Sequence, residues 1–198
     1  ATQLTATSNI GLGANAVNSI TTGDRNVGLG DNSGTAITSG ENNVSVGHDS
    51  LKDNTTGSHN VAVGKEAGKL NTTGGSNSSL GAGALYTNTT GGNNTAIGDS
   101  ALNSATTASN NTAVGGSALR ATTTSPNNVG VGKDSLLTMT SGSGMNTAVG
   151  VGSLKLLTTG ANNTATGFEA LNANTTAENN TAVGYRALKV NQTGADNT

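Results

Sequence analysis

The chain has little of what ordinary globular domains use to build a core or an active site. Its 198 residues include no cysteine, no tryptophan, one proline and three aromatic residues, and only 10% of them are charged. Without cysteine there is no disulfide scaffold, which fits either a reducing compartment or a fibre that does not rely on disulfides. Low hydrophobicity often accompanies disorder, but disordered chains are usually also charged or rich in proline.

Charge and hydropathy exclude two further classes of function. The net charge is −2 with no block of basic residues, so electrostatic attraction to nucleic acid lacks its main driving force. No apolar run is long enough to span a bilayer, and no signal-peptide pattern is present. We therefore expect no nucleic-acid partner and no direct membrane insertion by this segment.

One short unit is repeated along nearly the whole chain. It is clearest at residues 93–98, Asn-Asn-Thr-Ala-Ile-Gly. Its last residue, here called the anchor glycine, recurs every 17 residues, with a single step of 18 between Gly132 and Gly150. The anchor glycines are Gly13, Gly30, Gly47, Gly64, Gly81, Gly98, Gly115, Gly132, Gly150, Gly167 and Gly184. Such strict periodicity predicts a stack of equivalent coils.

An asparagine stands four residues before every anchor glycine. We predict that this column is a structural ladder, because stacked identical amides hydrogen-bond along the stacking direction. The alternative is a glycan-binding stripe, which a column of identical residues suits less well. The predicted ladder residues are Asn43, Asn60, Asn77, Asn94, Asn111, Asn128, Asn146, Asn163 and Asn180, with Asn9 and Asn26 before them.

The composition of the unit favours strands over helices. Its asparagine, threonine and glycine content is unfavourable in helix interiors, and 17 residues fall short of the roughly 33 typical of helical repeats. The sequence therefore predicts an all-β fold, a parallel β-solenoid with one 17-residue coil per repeat. We expect residues 1–198 to form a single repeat domain of about eleven coils, a segment of a longer fibre.

The pattern within the unit indicates a thin coil. Strand alternation places Thr95 and Ile97 on one face and Ala96 on the other. With the leucine that follows eight of the eleven anchors by four residues, a unit offers about three sizeable apolar groups for burial. A coil with so small a core is more stable if it buries a second apolar face against other chains, so we expect an oligomer.

Charged residues concentrate in the corner pair, the two positions that follow each anchor glycine. Examples are His48-Asp49 and Lys65-Glu66. Since charged side chains stay in water unless paired, we place these pairs at outward corners of the coil. We place Pro126 and the extra residue of segment 141–144 at corners as well, where they interrupt no hydrogen-bonded ladder.

The repeat resembles a known family. The hexad at residues 93–98, with the Ala-Leu pair that follows, resembles the Asn-Ser-Val-Ala-Ile-Gly repeat of trimeric autotransporter adhesin heads. It is also similar to repeats of bacteriophage tail-fibre proteins. The resemblance covers residues 7–198 and implies a left-handed parallel β-roll, three of which pack side by side. It further implies a homotrimeric, extracellular fibre, on a cell surface or a virion, that contacts a glycan or protein receptor on a host.

A threonine column raises a different function. Most units contain an adjacent Thr-Thr pair, such as Thr89-Thr90, and a regular threonine array on a flat solenoid face suits ice binding. Known ice-binding arrays resemble Thr-x-Thr, with both side chains on one face, whereas adjacent threonines lie on opposite faces. We keep a monomeric ice-binding solenoid as the alternative. The purely structural explanation of the threonine pairs is a strand whose hydroxyls cap the next turn.

We expect no catalytic residues, no metal site and no cofactor. No register carries an acidic residue in every unit, so repeated calcium sites are not predicted. His48 and His59 lie at different corners without a cysteine or a paired acidic cluster, so we expect them to be solvated. No serine stands in a nucleophile-elbow motif, and the repeated glycines lack the full phosphate-loop pattern.

We expect binding specificity to lie where the repeat varies. Phe168 and Tyr185 each follow an anchor glycine directly, at a corner that we expect to be exposed. Exposed aromatic rings stack on sugars, although isolated ones are also common on protein surfaces. We single out these two residues as the candidate surface-binding residues.

Overall fold

The computed structural model describes residues 8–198 and shows eleven three-residue strands, with no helix among these residues. The predicted domain of residues 1–198 thus includes seven residues outside the described range. The strands are β1 (Ile10–Leu12), β2 (Val27–Leu29), β3 (Val44–Val46), β4 (Val61–Val63), β5 (Ser78–Leu80), β6 (Thr95–Ile97), β7 (Thr112–Val114), β8 (Val129–Val131), β9 (Thr147–Val149), β10 (Thr164–Thr166) and β11 (Thr181–Val183).

All eleven strands form one parallel sheet in chain order. Paired residues are 17 positions apart, as in Thr95 with Thr112, and 18 apart where Val129 pairs with Thr147. Each coil therefore stacks directly on the next, at the spacing of about 4.8 Å that parallel strands adopt. The predicted β-solenoid with one 17-residue coil per repeat is confirmed.

A second row of hydrogen bonds joins the coils through the first threonine of each Thr pair. The backbone N–H of Thr89 donates to the carbonyl of Thr106 over 2.9 Å, and the Thr89 hydroxyl donates to the same carbonyl over 3.0 Å. Thr72 makes the same two contacts with the carbonyl of Thr89. Each coil is therefore bonded to its neighbours on more than one side.

The anchor glycine is required by both conformation and space. Gly98 has a φ of 128°, which L-residues rarely adopt, and a Cβ on it would lie 2.7 Å from the carbonyl carbon of Gly115 in the next coil. The column of glycines thus lets successive backbones approach closely at the corner.

The leucine column adopts a conformation that we did not predict. Leu102 has a φ of 50°, in the left-handed region that leucine seldom enters, and leucines at the same register in neighbouring coils do the same. These leucines are buried in the interior, as Leu102 and Leu119 show. Burial of a large apolar side chain offsets the backbone strain.

The core is narrower than the sequence pattern indicated. In β6, Ala96 points inward and is buried, whereas Thr95 is half-buried and Ile97 is exposed. The interior therefore holds small strand residues, the asparagines and, in most coils, a leucine. The expectation that the outer strand residues add to each coil's own core is wrong, because they lie on the outside of the sheet.

The one irregular coil keeps its register. Residues 141–144 contain the extra residue, and Gly142 and Gly144 take positive φ values of 111° and 75°. On either side, β8 still pairs with β9, and the Asn146 N–H still donates to Oδ1 of Asn128 over 3.1 Å. The insertion is thus a local bulge at a corner, as its sequence indicated.

Candidate binding surfaces

The asparagine column lies in the interior. Asn111 is fully buried, and its backbone N–H donates to Oδ1 of Asn94 over 3.0 Å. Its Nδ2 crosses the coil to the carbonyl of Ser125 over 3.1 Å, and its Oδ1 accepts the N–H of Asn128 over 2.9 Å. The other predicted ladder residues are buried in the same way: Asn43, Asn60, Asn77, Asn94, Asn128, Asn146, Asn163 and Asn180. A ligand on the outside of the fold does not reach these amides.

A second, shorter amide row lies seven residues after the anchor glycines. Nδ2 of Asn71 donates to Oδ1 of Asn54 over 2.8 Å, and Nδ2 of Asn88 donates to Oδ1 of Asn71 over 2.6 Å. The row ends at Asn88, whose buried Oδ1 has no hydrogen-bond partner, because Ala105 occupies the position in the next coil. We missed this row, although three successive units carry asparagine at that register.

The outer side of the sheet is an uncharged and mostly apolar surface, here called the strand face. It consists of the first and third residues of all eleven strands, which are valine, isoleucine, leucine, threonine or serine throughout. Ile97 is 38% exposed and Leu80 is 49% exposed. A long, uncharged and mostly apolar stripe on an otherwise polar molecule marks an interaction surface.

The threonine column presents one exposed hydroxyl per coil. In each pair the first threonine is committed to the backbone of the next coil, as described for Thr89. The second is exposed, as at Thr73, Thr90 and Thr107. The pairs therefore form a single exposed row.

Phe168 and Tyr185 come together as a stacked pair. Their ring centroids lie 5.5 Å apart with 10° between the planes, and the guanidinium of Arg186 lies 5.0 Å from the Tyr185 ring. Both rings are exposed, Tyr185 by 70%. Arg186 and Lys189 both pair with Glu169, and these hydrogen bonds, with Lys189 the stronger influence, lower the pKa of the Glu169 carboxyl. The pair is thus an accessible aromatic surface beside fixed charges.

A network of ionised groups lies at the corners of the earlier coils. Asp49, expected at an outward corner, is only 5% exposed, because Lys69 and Lys52 cover it at 3.1 and 3.3 Å. Burial by itself raises the pKa of the Asp49 carboxyl, but hydrogen bonds from Asn32, Lys69 and Lys52 outweigh it and lower the pKa to about 2. Hydrogen bonds to Glu66 and then Asp49 raise the pKa of Lys69.

The two histidines lie apart from any cluster of ligands. Nε2 of His48 is 3.7 Å from Asp49, and His59 contacts the amide of Asn42 at 3.4 Å. Within residues 8–198, no three His, Cys, Asp or Glu side chains are placed to hold a metal ion. In the same residues no helix is long and apolar enough to cross a membrane.

Comparison of the chain with protein-family models, with curated proteins and with solved structures gave no match.

Proposed function

We propose that the chain is a structural and adhesive fibre segment, in which three copies pack through their strand faces and present their corners to a host surface. The observation that carries this proposal is the strand face itself. It runs the length of the sheet and has no charged side chain in any described strand.

The periodicity of the strand face favours a second copy of the same chain as its partner. Ten intervals between the eleven strands extend the face over about 48 Å. A partner must have the same repeat distance to pack along the whole length of the face. Another copy of the chain has the same rise per coil. The absence of charge on the face removes the repulsion that would otherwise separate identical surfaces.

The number of copies and the setting rest on the resemblance of the hexad to adhesin-head and tail-fibre repeats. In those families three rolls assemble around an axis, and the fibres lie outside the cell, on a cell surface or a virion. We propose the same setting for this chain. The proposal assigns the chain no catalytic role and no cofactor. Its partners are two further copies and a glycan or protein on the host.

Association is tested by sedimentation of the purified chain. We expect a particle of about three times the 19.2 kDa chain mass. Val114→Asp places a charge in the middle of the strand face and should dissociate it, because an unpaired buried charge is costly. Thr107→Asp puts the same charge on the threonine row and should leave association intact. A folded wild-type monomer contradicts the proposal.

Attachment through the aromatic pair is tested separately. Tyr185→Ala removes the more exposed ring and should weaken binding to host cells. The melting temperature should change only slightly, as is usual for substitutions on the surface. Unchanged binding would show that the aromatic pair is not part of the attachment site, and it would not contradict the proposed fibre.

Ice binding is the second candidate, and the exposed threonine row supports it. The exposed hydroxyls repeat at the strand spacing, and a match to the ice lattice requires such a regular repeat. However, they form a single row with one hydroxyl per coil. Thermal hysteresis or ice shaping by the purified chain would support ice binding. If neither is observed, the fibre is the one remaining proposal.

A further inference from the structure

The corner pairs differ in the size of their side chains. Most pairs carry at least one long or polar side chain, but Ala82-Gly83 carries almost none. The pairs on either side are Lys65-Glu66 and Asp99-Ser100, two coil steps apart, or about 9.6 Å. The gap is an open notch of about 380 Å³, within the size range of small-molecule sites.

The notch is also lined by two residues from the register five positions after the anchor glycines, Tyr86 and Asn103. Nδ2 of Asn103 donates to the carbonyl of Gly83 over 2.9 Å, which fixes the amide at the wall. The Tyr86 ring is held by Lys69, whose Nζ lies 5.6 Å from the ring centroid. The notch therefore has an aromatic side chain and an oriented amide.

The glycine opens the notch without being needed by the backbone. Gly83 has a φ of 62°, but Glu66 and Ser100 adopt 58° and 54° at the same register in the adjacent coils. A Cβ on Gly83 would meet Nδ2 of Asn103 at 3.4 Å and Oγ of Ser100 at 4.0 Å, which are ordinary contacts. What the glycine contributes is the absence of a side chain.

The charged residues that line the notch are one cation, Lys65, and two carboxylates, Glu66 and Asp99. Glu66 is already paired with Lys69, which lies outside the lining, over 2.9 Å. An anion finds no net positive charge there. A metal ion finds two carboxylates, short of the three-ligand clusters that are absent from residues 8–198.

We propose that this notch binds one sugar residue of a neutral glycan. Carboxylate oxygens of Asp99 and Glu66 accept hydrogen bonds from sugar hydroxyls, Lys65 donates one, and the Tyr86 ring packs against the apolar face of the pyranose. Only the source of the glycan, the host surface, rests on the proposed adhesive function. The notch is formed within one chain and is separate from the Phe168–Tyr185 pair.

The test closes the notch with a residue that the fold already accepts. Gly83→Glu installs the residue that the preceding coil carries at this register. Gly152→Glu is the matched control, since Gly152 has a φ of 68° and its Cβ would meet Nδ2 of Asn172 at the same 3.4 Å, four coils away. The probe is an array of neutral and sialylated oligosaccharides, with the complete chain applied in solution.

We expect the wild-type chain and Gly152→Glu to bind the same neutral glycans, and Gly83→Glu to bind them about tenfold more weakly or worse, a loss of at least about 1.4 kcal/mol. Tyr86→Ala should weaken the same signals. Binding that survives Gly83→Glu, a preference for sialylated glycans alone, or no glycan binding by the wild type overturns the proposal.

Sedimentation of the same samples tests the trimeric fibre independently of the glycan site. A trimer that binds no glycan contradicts the glycan site and supports the fibre. A monomer that binds neutral glycans through the notch supports the glycan site and contradicts the assembly.

Discussion

A single asparagine in this fold connects three coils. The Asn111 side chain accepts from the backbone of Asn128 in the next coil, donates to Asn94 in the previous one, and crosses its own coil to Ser125. Backbone groups inside so narrow a coil have no water to bond with, so each amide replaces several water molecules. This is why the residue recurs at every coil and why its column lies inside.

Replacing Asn111 by alanine should lower the stability of the fold. The N–H of Asn128 loses its partner, at about 1–3 kcal/mol for such a buried group, and the carbonyl of Ser125 keeps only the 3.4 Å contact from Nδ2 of Asn128. Thr107→Ala, on the exposed row, should change stability by less than about 0.5 kcal/mol. Thermal unfolding of both variants measures the difference. If Asn111→Ala retains full stability but loses surface binding, the repeated face itself is the binding surface.

The short amide row predicts a substitution that stabilises the protein. Ala105→Asn places an amide where the row stops, so that its Nδ2 can donate to the unpaired Oδ1 of Asn88. Other coils hold methionine or leucine at this register, as at Met139 and Leu157, so the column accommodates longer side chains. We expect a gain of about 1 kcal/mol in the free energy of unfolding. A loss of stability would mean that this coil lacks the room its neighbours have.

The buried carboxyl of Asp49 predicts the response to acid. Its pKa is about 2 in the folded chain and 3.8 ordinarily, so ionised Asp49 stabilises the fold above about pH 4. That contribution disappears as the pH falls toward 2. Melting temperatures between pH 6 and 2 should therefore fall more steeply in the wild type than in Asp49→Asn, which starts lower. Parallel curves would show that the Lys69–Asp49 pair contributes nothing measurable.

At the scale of elements, the sequence was sufficient for the strands and their register. The hexads predict β1 to β11 because period and strand preference agree in every unit, and a fixed 17-residue repeat leaves one way to stack coils. The sequence was not sufficient to say which strand face points inward. Both faces of a strand such as Thr95–Ile97 are acceptable by alternation alone. The interior admits only alanine, glycine or serine there, because leucine and asparagine columns already fill it.

Contacts between coils at the corners were beyond the sequence pattern, since they join residues of different repeats. The residue two positions after an anchor contacts the residue five positions after the next anchor. Lys69 pairs with Asp49 and Lys189 with Glu169 in this way. Where the first partner is Gly83, the amide of Asn103 bonds its carbonyl instead. The same register thus provides a salt bridge in one coil and the wall of the notch in another.

At the scale of the molecule, the functions separate by side. Asparagines and leucines hold the coil from within, the uncharged strand face is the surface that we propose to contact identical copies, and the corners carry the charged and aromatic variation. Because each coil contacts only its neighbours, a change at one corner does not alter the strand face elsewhere. The proposed binding specificity could therefore vary from coil to coil while the proposed assembly stays the same.

The same independence predicts that one complete coil is dispensable. Deleting residues 116–132 joins Gly115 to Lys133, which reproduces the Gly132–Lys133 junction and brings Asn146 next to Asn111 in the ladder. We expect a folded protein with the same association state, and a urea m-value lower by about a tenth, since one coil in eleven no longer unfolds. Deleting only residues 116–124 removes about half a coil and puts the coils after the deletion out of register with those before it, so it should lose structure and stability. Circular dichroism, sedimentation and urea titration compare the two. Equal loss of structure in both would show that the chain folds as one indivisible unit and not as a stack of equivalent coils.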